Sequence, residues 1–454
     1  MNPNMIQQVH LKAPDNWIND PNGFIYYKGQ YHLFYQYFPY EPRWGTMHWG
    51  HAVSKDLLTW EHRGIALFPS RYEDANGCFS GSAVEKDGKL YLFYTGVHYK
   101  KEDPKDIHVA LDGDFEAAQL MITSEDGFTF HNITDKKVII PPIVDPAIGD
   151  RTNTRDPKVF RGKKGWYMVL GSTIKNKKGE VLIYQSQDLS QWEYVNQAYK
   201  EKDLGWMWEC PDYVETPGGN VFIFSPLGLM QDQMREDSQA VCVLADFCEE
   251  TCELDISDEY RFFDYGLDLY APQSTTDQDG NRVIIAWLRM PKPVDGKWSG
   301  MFCLPRLVEV KKGHIYFPVH PSVKKHFSKE IPTLEEADEN GFRILTSLEE
   351  GEEISIGGYR IYREGNHICT DRKDVFPAID GYRMQFQTPE LKDGYDLDIY
   401  VDEHLVEVYV NDGEYVISNC VYGLEKKILA GDEKRLKVYT INHGNESEFY
   451  WWPC

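Results

Sequence analysis

The 454-residue chain is poor in basic residues: 48 Lys and Arg stand against 72 Asp and Glu, a formal net charge of -24. Phosphate backbones and anionic membrane surfaces are held by Lys and Arg patches, so this balance argues against nucleic acid and membrane as partners. No segment approaches the apolar length that a membrane span requires. The start, Met1-Asn2-Pro3-Asn4-Met5-Ile6-Gln7-Gln8, has neither a basic n-region nor an apolar h-region. The expected partner is a small neutral or polar molecule and the expected location cytoplasmic, while nothing here bears on oligomeric state. Cys-x-x-Cys pairs are absent too. Nine cysteines, at 78, 210, 242, 248, 252, 303, 369, 420 and 454, read as reduced thiols. Cys248 and Cys252 lie four apart, but no His or Cys pair at finger-like spacing follows, and no metal is expected there.

Amphipathic helices of normal length are also missing between residues 20 and 310. What stands there is a repeat. Short β-rich runs flank a glycine-containing turn five times, around Gly29, Gly88, Gly165, Gly219 and Gly280, at intervals of 59, 77, 54 and 61 residues. Glycine supplies the positive φ of a tight turn, so these are hairpins, and the near-regular interval implies five copies of one unit. A second signal recurs as Ser54-Lys55-Asp56 ending at Trp60, Ser124-Glu125-Asp126 ending at Phe130, and Ser186-Gln187-Asp188 ending at Trp192. It predicts a Ser/Asp-shaped turn between third and fourth strands, with the aromatic packing between units. The fold class expected is all-β: a five-bladed β-propeller over 1–317, with a long β-sandwich as the structural alternative.

Beyond residue 317 the texture changes to Pro318, Pro321, Lys324-Lys325-His326 and the acidic Glu335-Glu336-Ala337-Asp338-Glu339, read as a linker over 318–339. Alternating strands such as Tyr395–Val401 and Leu405–Val410 follow, predicting a C-terminal β-sandwich over 340–454 in a supporting role.

Inner strand starts converge on the axis of a propeller. Asp20 precedes Gly29 by nine, Asp156 precedes Gly165 by nine and Glu209 precedes Gly219 by ten, which predicts three carboxylates at equivalent inner positions. The same offsets in the other two units land near Phe79-Ser80-Gly81 and Tyr270-Ala271-Pro272-Gln273. Acids, hydroxyls, an amide and aromatics together suit a sugar. Proline beside each acid is expected to hold it in extended geometry, and Arg155 offers a planar fork of donors. Glycoside hydrolysis needs one carboxylate at the anomeric carbon and one acid for the leaving oxygen. Trp206 and Trp208 are expected to desolvate Glu209 and favour it as the acid, whereas Asp20, among Asn and backbone donors, is expected to stay ionised.

Five ordered blocks carry a resemblance: NDPNG at 19–23, FSGS at 79–82, RDPKVF at 155–160, WECPD at 208–212 and YAPQ at 270–273. Together with Trp49-Gly50-His51-Ala52 and Val408-Tyr409-Val410-Asn411-Asp412-Gly413-Glu414, they resemble the glycoside hydrolase family 32 β-fructosidases over nearly the whole chain. The resemblance implies a five-bladed propeller with a C-terminal sandwich, and retaining hydrolysis of terminal β-fructofuranosides such as sucrose, sucrose 6-phosphate or short fructo-oligosaccharides, with neither metal nor other cofactor. It further implies Asp20 as nucleophile, Glu209 as acid/base and Asp156 as transition-state stabiliser, with Asn19, Gln36, Trp44, Ser80, Arg155, Tyr270 and Trp298 binding the fructosyl group. Blade packing is the other reading for Trp44 and Trp298, and a strand-end hydroxyl for Ser80. The chain departs from the family at Phe38-Pro39 and Leu304-Pro305-Arg306-Leu307, which bears on the leaving group. Two alternatives stay open: a fructosyltransferase using the same fructosyl-enzyme, and a non-catalytic fructan-binding propeller.

Overall fold

A computed structural model describes residues 5–7, 9–231, 234–236, 239–332, 337, 341–431 and 435–442. Of the residues singled out above, Met1 to Asn4, Gln8, Cys454 and the acids at 335, 336, 338 and 339 lie outside them. The chain is all-β. Two-residue turns with left-handed φ, such as Lys28-Gly29 and Asp87-Gly88, match the right-handed twist of the strands they join.

Five sheets follow one another along the chain, their first strands, after the edge strand Met5–Gln7 of the first sheet, being Asn16–Tyr27, Cys78–Lys86, Arg155–Arg161, Met207–Val214 and Leu269–Thr276. These first strands touch one another in sequence, and the fifth touches the first, so they close a cycle. Trp298–Ser299 then pairs in parallel with Asn16–Trp17 and ties the chain after the fifth sheet back into the first. Polar side chains brace the cycle from within: Gln273 accepts from the Phe24 amide at 2.9 Å and donates to the Gly81 carbonyl at 2.8 Å. Lys158 Nζ reaches Asp212 at 2.8 Å.

The repeated Ser-x-Asp turns form as expected in the first three sheets. Each serine hydroxyl accepts from the amide three residues on (Leu57, Gly127 and Leu189, at 2.8–2.9 Å), and each of those residues has a left-handed φ. Each aspartate accepts from a second amide three residues beyond itself. Two of the aromatics then pack across sheets, Phe130 on Phe34 and Trp192 on Phe93, while Trp60 is buried in the hydrophobic core.

Two further sheets, of six and five strands, share a core that includes Ile344, Ile354, Ile361, Ile399 and Val408. Between the acidic run and Pro318 lie a short helix, Pro321–His326, and a strand, Lys329–Ile331, which joins the six-stranded sheet through Lys437–Thr440. A buried polar cluster fastens these sheets to the cycle. Glu407 accepts from Arg306 at 2.6 Å and bonds His10 at 2.8 Å, while Asp264 accepts from Ser418.

Candidate active site

At one end of the cycle the pairing of every first strand slips, between Ile18 and Pro21, Cys78 and Gly81, Arg155 and Lys158, Glu209 and Asp212, and Tyr270 and Gln273. Such bulges release residues from the ladder and re-aim their side chains. Here all five deliver them to one place. Asp156, Cys210 and Ala271 carry left-handed φ values of 65°, 47° and 51°. The extended geometry expected before Pro157 and Pro211 is therefore overturned, because the bulge imposes the opposite sign of φ. The acids also do not share one register position: Glu209 is the last paired residue before its slip, Asp156 the first released and Asp20 the second. Near-equal offsets from a turn hide this, and the first strand carries an additional slip between Asn22 and Ile25.

The bulges surround a cavity of about 340 Å³ lined by Asn19, Asp20, Gln36, Trp44, Arg155, Asp156, Glu209 and Tyr270, all anticipated from the sequence. Asp20 is buried and accepts from Ser80 Oγ at 2.5 Å, with Gln36 and Asn19 each 3.3 Å away. Burial pushes its carboxyl up to about 6, against the hydrogen bonds of Ser80 and Asn19, and the Glu209 charge adds to the rise. The donors expected to keep Asp20 ionised are present, and they offset the burial only in part. Asp156 is pushed up to about 7, first by burial and then by Glu209 and Asp20, against the pull of Arg155. The Cys210 amide donates to Asp156 at 2.9 Å, and its thiol lies 3.5 Å from Asp156 and 3.6 Å from Asp20.

Glu209 takes two donors from Arg155 on one oxygen, at 2.9 and 2.7 Å, and the Tyr270 hydroxyl on the other. Neither Trp206 nor Trp208 lines the cavity. Trp208, next to Glu209 on a strand, faces the opposite side, where its ring is buried against Phe224. Trp298 is not brought to the cavity either; it stands in the closing strand pair, edge-on to His404 and beneath Lys12.

The remaining wall consists of Phe79, Tyr99, Val109, Ala110, Gly113, Phe115 and Trp287. Of these, only Phe79 was marked by the offset count. Val109 to Gly113 belong to a small hairpin, Glu102–Asp103 and Asp106–Ala110, and the turn after it. Its trace in the sequence is the longest interval between turn glycines, 77 residues from Gly88 to Gly165.

Sequence models described as "Glycosyl hydrolases family 32 N-terminal domain" and "Glycosyl hydrolases family 32 C terminal" match residues 10–321 and 320–446. The chain belongs to glycosyl hydrolase family 32. Among relatives, it is 32% identical to the sucrose-6-phosphate hydrolase of Bacillus subtilis, covering 91% of this chain and 88% of the relative. It is 33% identical to a raffinose invertase of Escherichia coli, covering 96% and 92%. Among solved structures, the sucrose-6-phosphate hydrolase of Lactobacillus gasseri superimposes with a TM-score of 0.83 at 25% identity, covering 96% and 93%. A β-fructofuranosidase of Bombyx mori does so with 0.81 at 28% identity, covering 97% and 95%, and a variant of it has been solved in complex with sucrose. As a family 32 member the protein is a glycoside hydrolase. Among its described residues no helix is long and apolar enough to cross a membrane.

Proposed function

We propose that this glycoside hydrolase is a retaining β-fructofuranosidase acting on sucrose, sucrose 6-phosphate or short fructo-oligosaccharides. The reading includes a five-bladed β-propeller over 1–317, a linker over 318–339 and a β-sandwich over 340–454. A cytoplasmic location fits the eight described cysteines, all free thiols. The observation that carries the reading is the convergence of Asp20, Asp156 and Glu209 on one cavity, each held by named donors. Asp20 and Asp156 are buried and half-buried Glu209 lies beside them, so the two buried carboxyls are raised by their burial and by the neighbouring negative charge. In the proposed reaction an Asp20 oxygen attacks the anomeric carbon while Glu209 protonates the glycosidic oxygen, and the carbon–oxygen bond breaks. Water, deprotonated by Glu209, then displaces Asp20. Asp156 and Arg155 hold fructosyl hydroxyls and the developing positive charge, with Asn19, Gln36, Trp44, Ser80 and Tyr270 shaping the subsite.

Anomeric analysis of fresh product by NMR tests the stereochemistry: retention is expected, and an inverted product overturns the covalent route. Asp20→Ala should fold and lose at least ~10³-fold in kcat, as removal of a nucleophile does. Wild-type-like turnover would overturn its role. Transfer to sugar as the dominant outcome at high sucrose would instead support the fructosyltransferase.

A further inference from the structure

Asp156 stands in a backbone conformation that it does not hold by itself. Its φ of 65° is left-handed, a region that a residue with a Cβ keeps only where its surroundings over-determine it, and Pro157 behind it favours extended backbone. The slip between Arg155 and Lys158 also takes Asp156 out of the pairing with strand Trp166–Ile174. Its amide is met instead by a side chain of the neighbouring sheet. Thr95, on strand Lys89–Tyr99, accepts from that amide at 2.9 Å and donates its hydroxyl to Gln119 Oε1 at 2.7 Å. Gln119, directly opposite Thr95 on strand Phe115–Ser124, donates Nε2 to the Thr154 carbonyl at 3.1 Å. An amide can only donate, so the single proton of Thr95 is committed to Gln119, whose carboxamide then has its nitrogen left for Thr154. The pair thus grips the main-chain groups on either side of Arg155. Ser82 of the same sheet continues the grip, donating to the Pro157 carbonyl at 2.7 Å and accepting from the Val159 amide at 3.0 Å.

Thr95 and Gln119 are 0% and 1% exposed, and neither lines the cavity. Their neighbours Leu92, Phe93, Leu120 and Met121 are core residues, so apolar side chains would serve packing at these two positions as well. A buried amide that loses its acceptor carries the full cost of its desolvation. The nearest relief is rotation of Asp156 toward extended φ, which would swing its carboxylate off the Cys210 amide that now donates to it at 2.9 Å. We infer that Thr95, oriented by Gln119, is a positioning residue for Asp156, setting the aim of that carboxylate through the main chain without meeting substrate. The assignment rests on the β-fructofuranosidase reading, in which Asp156 holds fructosyl hydroxyls and the developing charge.

A double-mutant cycle on kcat/KM tests it, with melts to report folding. Thr95→Val keeps the shape and removes the acceptor; it should lose roughly 30-fold or more, as misplacement of a catalytic group by a fraction of an ångström to about 1 Å does. Thr95→Ser keeps the hydroxyl and should restore most of the native activity. Asp156→Asn removes the charge and tolerates the left-handed backbone. In that background Thr95→Val should cost less than about threefold further, whereas independent sites would multiply their losses. Multiplied losses, Thr95→Ser as poor as Thr95→Val, or a folded Thr95→Val with native kcat/KM would each overturn the positioning role. Should Thr95→Val not fold, Gln119→Leu carries the same comparison. It leaves Asp156 an acceptor but frees the Thr95 hydroxyl to turn, so its smaller loss should disappear in Asp156→Asn, and a loss that persists there would overturn the role. All these outcomes leave the β-fructofuranosidase standing. A native protein that cleaves none of sucrose, sucrose 6-phosphate and a short fructo-oligosaccharide would overturn that underlying reading instead.

Discussion

Asp20 is held where its charge is unwelcome. Burial raises its carboxyl to about 6 from an ordinary 3.8. Between those values the folded state keeps a proton that the unfolded chain has released, so stability falls as pH rises through that window. Asp20→Asn should therefore be more stable than the native protein above pH 6, by at most about 3 kcal/mol, and the gain should vanish toward pH 4. Denaturant melts at pH 4, 6 and 8 check this, and a gain that grows on acidification would contradict it. The acids were legible in the sequence because each sits in a short block beside a turn. Tyr99 and Phe115 were not, since an aromatic at a strand end looks the same whether it packs in a core or lines a cavity.

Among the elements, the repeated Ser-x-Asp turn shows how a local rule is read correctly. Asp188 accepts from the Ser190 and Gln191 amides, and these bonds hold its carboxyl down to about 2. That contribution is present above the ordinary carboxylate range and lost as pH falls through about 2. Asp188→Ala should cost about 1 kcal/mol, the usual net worth of such bonds, at pH 7. It should leave turnover unchanged, because the residue is exposed and does not line the cavity. Parallel melts and sucrose assays check both halves. The bulges are the opposite case. Nothing in an isolated strand announces that Glu209 will be paired and Cys210 released; the slip exists because five strands crowd one end of the cycle and each must turn its side chains inward. Hairpin Glu102–Ala110 was legible only as surplus length, and its docking through Arg43 and Asp106 joins residues 63 positions apart.

For the molecule as a whole, the junction between the cycle and the C-terminal sheets is ionic and buried. Burial alone would lower the pKa of His10, but Asp402 and Glu407 hold its proton and raise it to about 9 from 6.5. The stabilisation is full below 6.5 and lost as pH rises through about 9. Native stability should decline across that interval by at most about 3.5 kcal/mol from this group. His10→Gln should flatten the decline, and an unchanged slope in that variant would contradict it. The sequence alone determined the all-β class, the repeated hairpins, the Ser-x-Asp turns and which three acids line the cavity, because turn chemistry and period-two patterning act over a few residues. Tertiary structure decided which side chains the bulges release, that Trp208 faces the core and Trp298 the closing strands, and that a distant hairpin completes the cavity. Those depend on pairing register and on contacts between residues far apart in the chain, which local preferences do not encode.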